Sequence, residues 1–427
     1  MFNRKVLFLL AALFLVLAGC STGEKENDSA DSGKKVTVDV FQFKVEFKKQ
    51  FEELAKQYEE VNPDVKVNIQ TVGGGNDYAS ALKAKFASGD EPAIFNINGI
   101  VDIQQYRDRL ADLSETEAAK SALEGTLAGV EEDGQVLGLP YNQEGYGLIY
   151  NKDIFKEAGV DPESITSMED LIKAVETIDG KKEELKLDAV FAFPAKEKWV
   201  TGNHAASVFL ASDFDNDVLK AYEAKEVAFS NSDAFKQYID LQNEYSVQPV
   251  MSLDYSQQVE ELFSTERVAI IQQGNWVYPT VEEMDPELAE SGIGIMPIPL
   301  NGEMNMPVGV PNFWAVNKKV DEEVQKAAGE FLDWMYTSEE GKEASLTEFK
   351  FIPAYEGYDT EKISDPLSKE IYEYAEKGQT TGWVFQSYPI GWGENVLGAE
   401  LQKYLSDKAT WEETIQKTQD EWAKSRE

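Results

Sequence analysis

The chain has 427 residues, with 78 acidic against 40 basic side chains, a formal net charge of −38 and a pI near 4.4. Such an excess of negative charge argues against a nucleic-acid binder and against direct adsorption to an anionic bilayer. One cysteine and one histidine in the whole sequence leave no disulfide framework and no Cys/His zinc site, and the length suits two domains of ordinary size.

Arg4 and Lys5 precede an apolar run from Val6 to Ala18. Thirteen apolar residues fall short of the roughly 20 that a membrane span needs, so residues 1–19 read as a secretory signal. The run ends in Leu17-Ala18-Gly19-Cys20, which resembles a bacterial lipobox. That implies cleavage before Cys20 and a lipid on its thiol; a plain signal peptide with a chance cysteine is the alternative. Acylation would leave no thiol for a disulfide, a metal cluster or a nucleophile. Residues 20–35 hold no large apolar side chain and read as a flexible tether.

Val36 to Phe43 alternates and predicts a first strand. Phe47, Phe51, Leu54, Ala55, Tyr58 and Val61 step by three and four, an amphipathic helix that Asn62-Pro63 ends. Val65, Val67 and Ile69 make a second strand, so a βαβ unit and a parallel sheet are expected. Lys44 to Glu46 follow the first strand's carboxyl end, where open α/β sheets take ligands, and Glu46 is a candidate contact. Gly73-Gly74-Gly75 lacks the Lys-Ser/Thr of a phosphate loop and reads as a turn. A helix over Tyr78–Phe86 leads to a third strand, Pro92–Ile97. Asn98, Gly99 and Asp102 then either bond a ligand or cap the next helix.

The stretch from Leu139 to Asp161 organises the rest. Tyr146, Leu148 and Tyr150 alternate with Gly147 and Ile149, apolar on both faces, as in a buried strand. Asn151 caps a helix carrying Ile154, Phe155 and Ala158, Gly159 closes it, and Pro162 follows. Leu139-Pro140-Tyr141-Asn142 suits a crossing between lobes, with Glu144 beside it. Ala189–Phe193 is a strand leading to Trp199 and the Gly202-Asn203-His204 turn; a lone His204 without metal-binding neighbours reads as structural. The strand Val268–Ile271 delivers Gly274, Asn275 and Trp276 into a loop, where the indole is either a stacking platform or core. Ile293–Pro299 is another strand. Val308–Val316 carries Trp314, placed like a second cleft aromatic. Glu322–Tyr336 is an amphipathic helix, Phe351-Ile352-Pro353-Ala354 a further crossing, and the C-terminal part is helical with Trp383 and Trp392 in glycine-containing breaks.

LPY, then GLIYNKDIFKEAGVDP, then Ser167-Met168-Glu169-Asp170-Leu171 together resemble the signature of the bacterial extracellular solute-binding proteins of sugar-uptake ABC transporters. The branch is the one handling multiple sugars and raffinose-type oligosaccharides. AKQYEEVNPDVKVNIQTVGGG, KAKFASGDEPAIFNINGI, FSTERVAIIQQGNW and AAGEFLDWMYTSEEGKEA extend the resemblance over nearly the whole mature chain. It implies a two-lobed α/β fold of the periplasmic-binding-protein type, with lobes built from 36–140 plus 301–350 and from 141–300 plus 351–427. Three crossings, near Tyr141, Leu300 and Pro353, would form a hinge closing on an interlobe cleft. Trp276 would stack on the ligand, with Trp199, Trp314 and Trp392 as further walls. Glu46, Asn98, Asp102, Glu144, Asn203 and Asn275 would supply polar contacts. The implied partners are an oligosaccharide and the transmembrane subunits of an ABC permease, with no cofactor, no metal and no nucleic acid. The implied form is a monomer held by Cys20 on the outer face of the cell membrane. A lipid-anchored enzyme acting on glycans would instead need paired carboxylates, which Glu46, Asp102 and Glu144 supply only singly. A binder of a non-sugar solute would draw on Asp77-Tyr78 and Tyr141, and a tethered adhesin is a third alternative.

Overall fold

The computed structural model describes residues 35–72 and 78–427, apart from the side chain of Glu46. The readings on the signal, on Cys20 and its tether, on Gly73-Gly74-Gly75 and on Asp77 lie outside the described residues. In chain order the principal strands are β1 (Val36–Gln42), β2 (Val65–Thr71), β3 (Ile94–Ile97), β4 (Leu139–Pro140), β5 (Glu144–Asn151), β6 (Ala189–Phe191), β7 (Val268–Gly274), β8 (Ile293–Met296), β9 (Met306–Gly309), β10 (Phe313–Val316) and β11 (Thr380–Thr381).

The first sheet runs β2-β1-β3-β10-β4. β1 pairs in parallel with β2 from Val36↔Val65 to Gln42↔Thr71, as the βαβ pattern predicts. Its crossover helix, Lys48–Val61, buries Phe51, Leu54, Ala55 and Tyr58. That apolar face meets a cluster built around Trp314, Tyr141 and the helix Glu322–Thr337.

The second sheet runs β11-β9-β5-β7-β6, with β8 also on β5. All eight residues of β5 are buried, because it lies at the centre. Along one edge it pairs antiparallel with β7, from Tyr146↔Gly274 to Tyr150↔Ile270. Along the other, β9 pairs with its start and β8 with its end. Gly147 is required there, since a Cβ would lie 2.3 Å from the carbonyl oxygen of Met296. Asn151 caps the following helix, its Oδ1 accepting from the amides of Asp153 and Ile154 at 3.0 Å each. Gly159 ends that helix at φ 75°. These local expectations agree with the structure.

Three connections lie side by side between the sheets, two joining strands and the third, at 351–354, joining helices. The amide of Tyr141 donates to the carbonyl of Asn312 at 3.0 Å and that of Gln143 to Ile352 at 2.9 Å. The Gln143 side-chain amide donates to the Pro353 carbonyl at 2.6 Å. The crossing expected near Leu300 is therefore at 310–312. Leu300 instead pairs with Glu303 in a turn, and the chain stays in the second sheet because β9 pairs with β5 through Val308↔Gly145 and Gly309↔Glu144. The segment 301–350 thus begins with a strand of the second sheet, and Tyr141 packs in the first lobe's core.

Two expected cleft aromatics are core residues. Trp314 is 1% exposed, its indole N–H donates to the Tyr336 hydroxyl at 2.7 Å, and its ring meets Phe51 edge-on at 5.5 Å. Trp392 is also 1% exposed, donates to the Thr418 carbonyl at 2.9 Å, and packs edge-on against Trp422 at 4.8 Å. Neither ring has a free face for a ligand.

Candidate functional site

A cleft of about 560 Å³ opens between the two sheets, within the range usual for small-molecule sites. Phe43, Lys44 and Val45 enter it from the end of β1, and Pro311 from the middle crossing. The second lobe supplies Glu144, Trp199, His204, Tyr255, Trp276, Thr280, Trp383 and Phe385. Its lining is dominated by aromatic rings, and among the described residues the charges on it are those of Lys44 and Glu144.

Trp276 is placed by Gly274. A Cβ on Gly274 would lie 2.2 Å from the Trp276 ring and 2.4 Å from the Gly145 carbonyl oxygen, so the indole folds back over a bare backbone at the end of β7. Its N–H donates to Gln273 Oε1 at 3.0 Å, and Gln273 in turn donates to Gln258 Oε1 at 2.6 Å. Buried amides therefore fix the orientation of the ring. The same turn corrects Asn275. Asn275 is 6% exposed, accepts from the Gly145 amide at 3.1 Å and donates to Ser368 Oγ at 2.9 Å. Its side chain clamps β7 to β5 and is used up in doing so.

Trp199 and His204 sit at the ends of a π-turn, Val200–Ala205, a feature often found where a helix is adjusted for a site. A Cβ on Gly202 would lie 1.9 Å from the Gly393 carbonyl oxygen, so this turn packs backbone to backbone against a second π-turn, Trp392–Gly398. His204 stacks flat on Tyr146, centroids 4.4 Å apart and planes 9° apart. Trp199 meets it edge-on at 5.1 Å, with Phe385 at 5.0 Å and Trp276 at 5.3 Å. Burial, aided by the nearby Lys44 ammonium, pushes the His204 pKa down to about 3. His204 is therefore a neutral flat ring at physiological pH and carries no proton in or out of the cleft.

Lys44 Nζ and Glu144 Oε1 stand 2.7 Å apart, with 8% and 4% of the two residues exposed. One comes from the end of β1 and the other from the start of β5, so the pair joins the two lobes on the cleft wall. The Lys44 amide donates to Gln42 Oε1 at 2.6 Å, which fixes the backbone from which the lysine springs.

Asn98, Asp102 and Asn203 line a second hollow of about 440 Å³ that meets the first at Pro311 and Phe385. Asp102 Oδ2 accepts from the backbone and side-chain amides of Asn98, each at 2.8 Å. Burial pushes the Asp102 pKa up, and those hydrogen bonds oppose it. Asp102 thus closes back on Asn98 just ahead of the helix Ile100–Tyr106, whose N-cap, Gly99, makes no side-chain hydrogen bond. Glu46 lies in the turn after β1, but its side chain is outside the described residues.

Sequence reasoning brought Glu144, Trp199 and Trp276 to the cleft. It missed Phe43, Tyr255, Trp383 and Phe385 as wall residues and treated His204 as structural only. Trp383 had a usable signal. It follows Gly382, and its ring lies on Gly309, where a Cβ would come within 2.6 Å of it. Among the described residues no cluster of three His, Cys, Asp or Glu side chains is placed to hold a metal ion. No helix among them is long and apolar enough to cross a membrane.

Two α/β lobes, three adjacent crossings and an aromatic cleft between them define a hinged solute-binding protein. The chain belongs to the family of bacterial extracellular solute-binding proteins, whose model matches residues 53–370. It is 25% identical over 99% of its length to the melibiose/raffinose/stachyose-binding protein MelE of Bacillus subtilis, covering 96% of that protein. It is 26% identical to the multiple sugar-binding protein of Streptococcus mutans, with 64% of each chain covered. Its fold is that of RafE, solved in complex with raffinose, at a TM-score of 0.75 and 18% identity over 92% of this chain and all of that one.

Proposed function

We propose that this protein is the substrate-capturing component of an ABC importer. It would take a neutral oligosaccharide into the interlobe cleft and present it to the transmembrane permease subunits, while a lipid on Cys20 holds it at the outer face of the cell membrane. The observation that carries the sugar reading is the wall formed by Trp199, Trp276, Trp383 and His204. Faces of pyranose rings rich in C–H groups bury well against such rings, and a ligand without charge needs that burial for affinity. The names of the relatives support the same class of ligand.

A glycan-cleaving reading requires two carboxylates flanking the bond. Glu144 is the carboxylate among the described cleft-lining residues, and it is engaged by Lys44. Glu144 thus shapes the cleft, and the ligand is bound and released unchanged.

Thermal unfolding of the purified protein with melibiose, raffinose and stachyose tests the proposal. A sugar at a hundred times its Kd stabilises the protein by about 2.7 kcal/mol. A clear upward shift with at least one member, and no reducing sugar released on long incubation, is expected. No shift with any oligosaccharide in a broad panel, or steady hydrolysis, would overturn it.

A further inference from the structure

The third crossing is tied to the second lobe by a hydroxyl with a choice of acceptors. Lys350 stands where the chain leaves one core for the other, since Phe349 and Phe351 pack in the first lobe's cluster and Ile352 in one of the second's. Its φ of 55° lies in the left-handed region, which a lysine keeps only when its surroundings hold it there. Its Nζ donates to Glu282 at 2.6 Å and lies 4.6 Å from the centre of the Tyr278 ring, both on the second lobe. Ser368 lies on the helix Pro366–Glu376, whose Leu367 and Ile371 belong to the same second-lobe cluster as Ile352. The Ser368 side chain is fully buried. Its Oγ accepts from Asn275 Nδ2 at 2.9 Å and can donate either to Asp365 Oδ2 or to the Lys350 carbonyl oxygen 3.4 Å away. A hydroxyl has one proton, so it serves one of these acceptors at a time.

We propose that Asp365 and Ser368 are positioning residues for ligand capture, a proton-operated latch that ties the third crossing to the second lobe when Asp365 is neutral and lets it go when Asp365 is ionised. This rests on the sugar-binding reading above and adds a regulation to it. An ionised Asp365 draws the serine proton to Oδ2, and the Lys350 carbonyl goes without. Oδ1 is occupied by the Leu367 amide, so a neutral Asp365 carries its proton on Oδ2. It then donates to Ser368 Oγ and frees the serine proton for the Lys350 carbonyl. One proton bound at Asp365 thus becomes one hydrogen bond across the hinge. That bond favours the arrangement in which Lys44 of the first lobe meets Glu144 of the second on the cleft wall, and a ligand held between the lobes binds that arrangement. Burial raises the Asp365 pKa to about 7, so the latch is engaged below neutral pH and released above it. The titratable groups facing Asp365 from other elements are Lys350, Glu282 and Tyr278, and Lys369 on its own helix is exposed.

The test is calorimetry with the tightest binder among melibiose, raffinose and stachyose, at pH 6, 7 and 8.5, on the wild-type protein and on two variants. Asp365→Asn puts an amide N–H where the carboxyl proton would be and keeps the latch engaged at every pH. Ser368→Ala removes the hydroxyl that passes the proton's effect to the crossing. Wild-type affinity should be about threefold to tenfold weaker at pH 8.5 than at pH 6, the worth of one net hydrogen bond. By linkage the wild-type protein should take up about 0.3–0.5 proton on binding at pH 7, read from buffers of different ionisation enthalpy. Both variants should lose the pH step and the proton uptake, with Asp365→Asn holding the tighter affinity throughout. The same pH step in the wild type and in Asp365→Asn, or no proton uptake, refutes the latch and leaves the sugar-binding reading standing. Hydrogen exchange without ligand separates the two readings if no sugar binds. Relative to β5, the segment 349–354 should exchange more slowly in Asp365→Asn than in the wild type at pH 8.5 and alike at pH 6; equal exchange at both refutes the latch whatever the ligand.

Discussion

Asp365 offers a sharp test of the electrostatics beneath the cleft. It caps the helix Pro366–Glu376 and is 2% exposed. Its Oδ1 accepts from the Leu367 amide at 2.8 Å, and its Oδ2 from the Ser368 hydroxyl. Burial raises its pKa from 3.8 to about 7, against the pull of those hydrogen bonds and of Lys350. A carboxyl with a higher pKa in the folded state keeps its proton after the unfolded chain has lost its own. Its stabilising contribution is therefore fully present below about pH 4, is lost as pH rises toward 7, and stays lost above that. The interval from 3.8 to about 7, at about 1.4 kcal/mol per pH unit, sets a ceiling of about 4 kcal/mol on the penalty at pH 8. The other titratable groups facing it are Lys350, Glu282 and Tyr278. Lys350 Nζ donates to both Glu282 oxygens at 2.6 Å, and Tyr278 is pushed up, away from this range. Asp365→Asn removes the buried charge and keeps an oxygen for the Leu367 amide. Urea unfolding of both proteins should give the variant a gain of about 2–4 kcal/mol at pH 8 that shrinks to less than half of that at pH 5 and vanishes only below about pH 4. Equal differences at the two pH values would refute the raised pKa.

Trp276→Ala should weaken oligosaccharide binding by about 2 kcal/mol or more, roughly thirtyfold, with cooperative unfolding retained; unchanged affinity by calorimetry would remove Trp276 from the site. Trp314→Ala should do the opposite, lowering stability by about 3–5 kcal/mol in urea while leaving the affinity of the folded protein unchanged. Glu144→Gln breaks the buried pair with Lys44 and should cost about 3 kcal/mol or more of stability; a neutral effect would mean that the pair is not formed in solution. Cys20→Ser should shift the protein from the membrane fraction to the medium, and unchanged fractionation would count against the lipid anchor.

Much of β5 and its surroundings was legible because local rules govern it. A run apolar on both faces can only be a doubly covered strand, Asn151 has a side chain suited to a cap, and Gly159 tolerates the left-handed turn. Tertiary pairing decided what was not legible. Trp276 and Trp314 both stand near glycine in apolar surroundings, and nothing local separates them. The difference is that Trp314 lies within β10, paired on both sides with β3 and β4 and facing Phe51 and Tyr141, whereas Trp276 lies just past the end of β7. The crossing near Leu300 failed for the same reason. Whether the chain leaves the second sheet at 300 or at 310 depends on β9 finding Glu144 and Gly145, a contact remote in sequence. Asn275 has the look of a ligand-binding amide, and only the positions of Gly145 and Ser368 reveal that both its ends are taken.

The aromatic cleft has a construction principle that the register makes plain. β7 and β9 flank the first residues of β5, with Gly274 opposite Tyr146 and Gly309 opposite Glu144. Each of those glycines lies under an indole, Gly274 under Trp276 and Gly309 under Trp383, and a Cβ at either would strike the ring above it. The two indoles thereby approach to 6.5 Å at 88° across the start of β5, with Glu144 and Tyr146 between them. The polar anchor and the apolar walls are thus set by one piece of sheet, and the opposing lobe contributes the countercharge, Lys44. Among the described lining residues the cation Lys44 is paired with Glu144, and the affinity of a neutral ligand would be set by ring faces and hydroxyl geometry and should vary little with ionic strength.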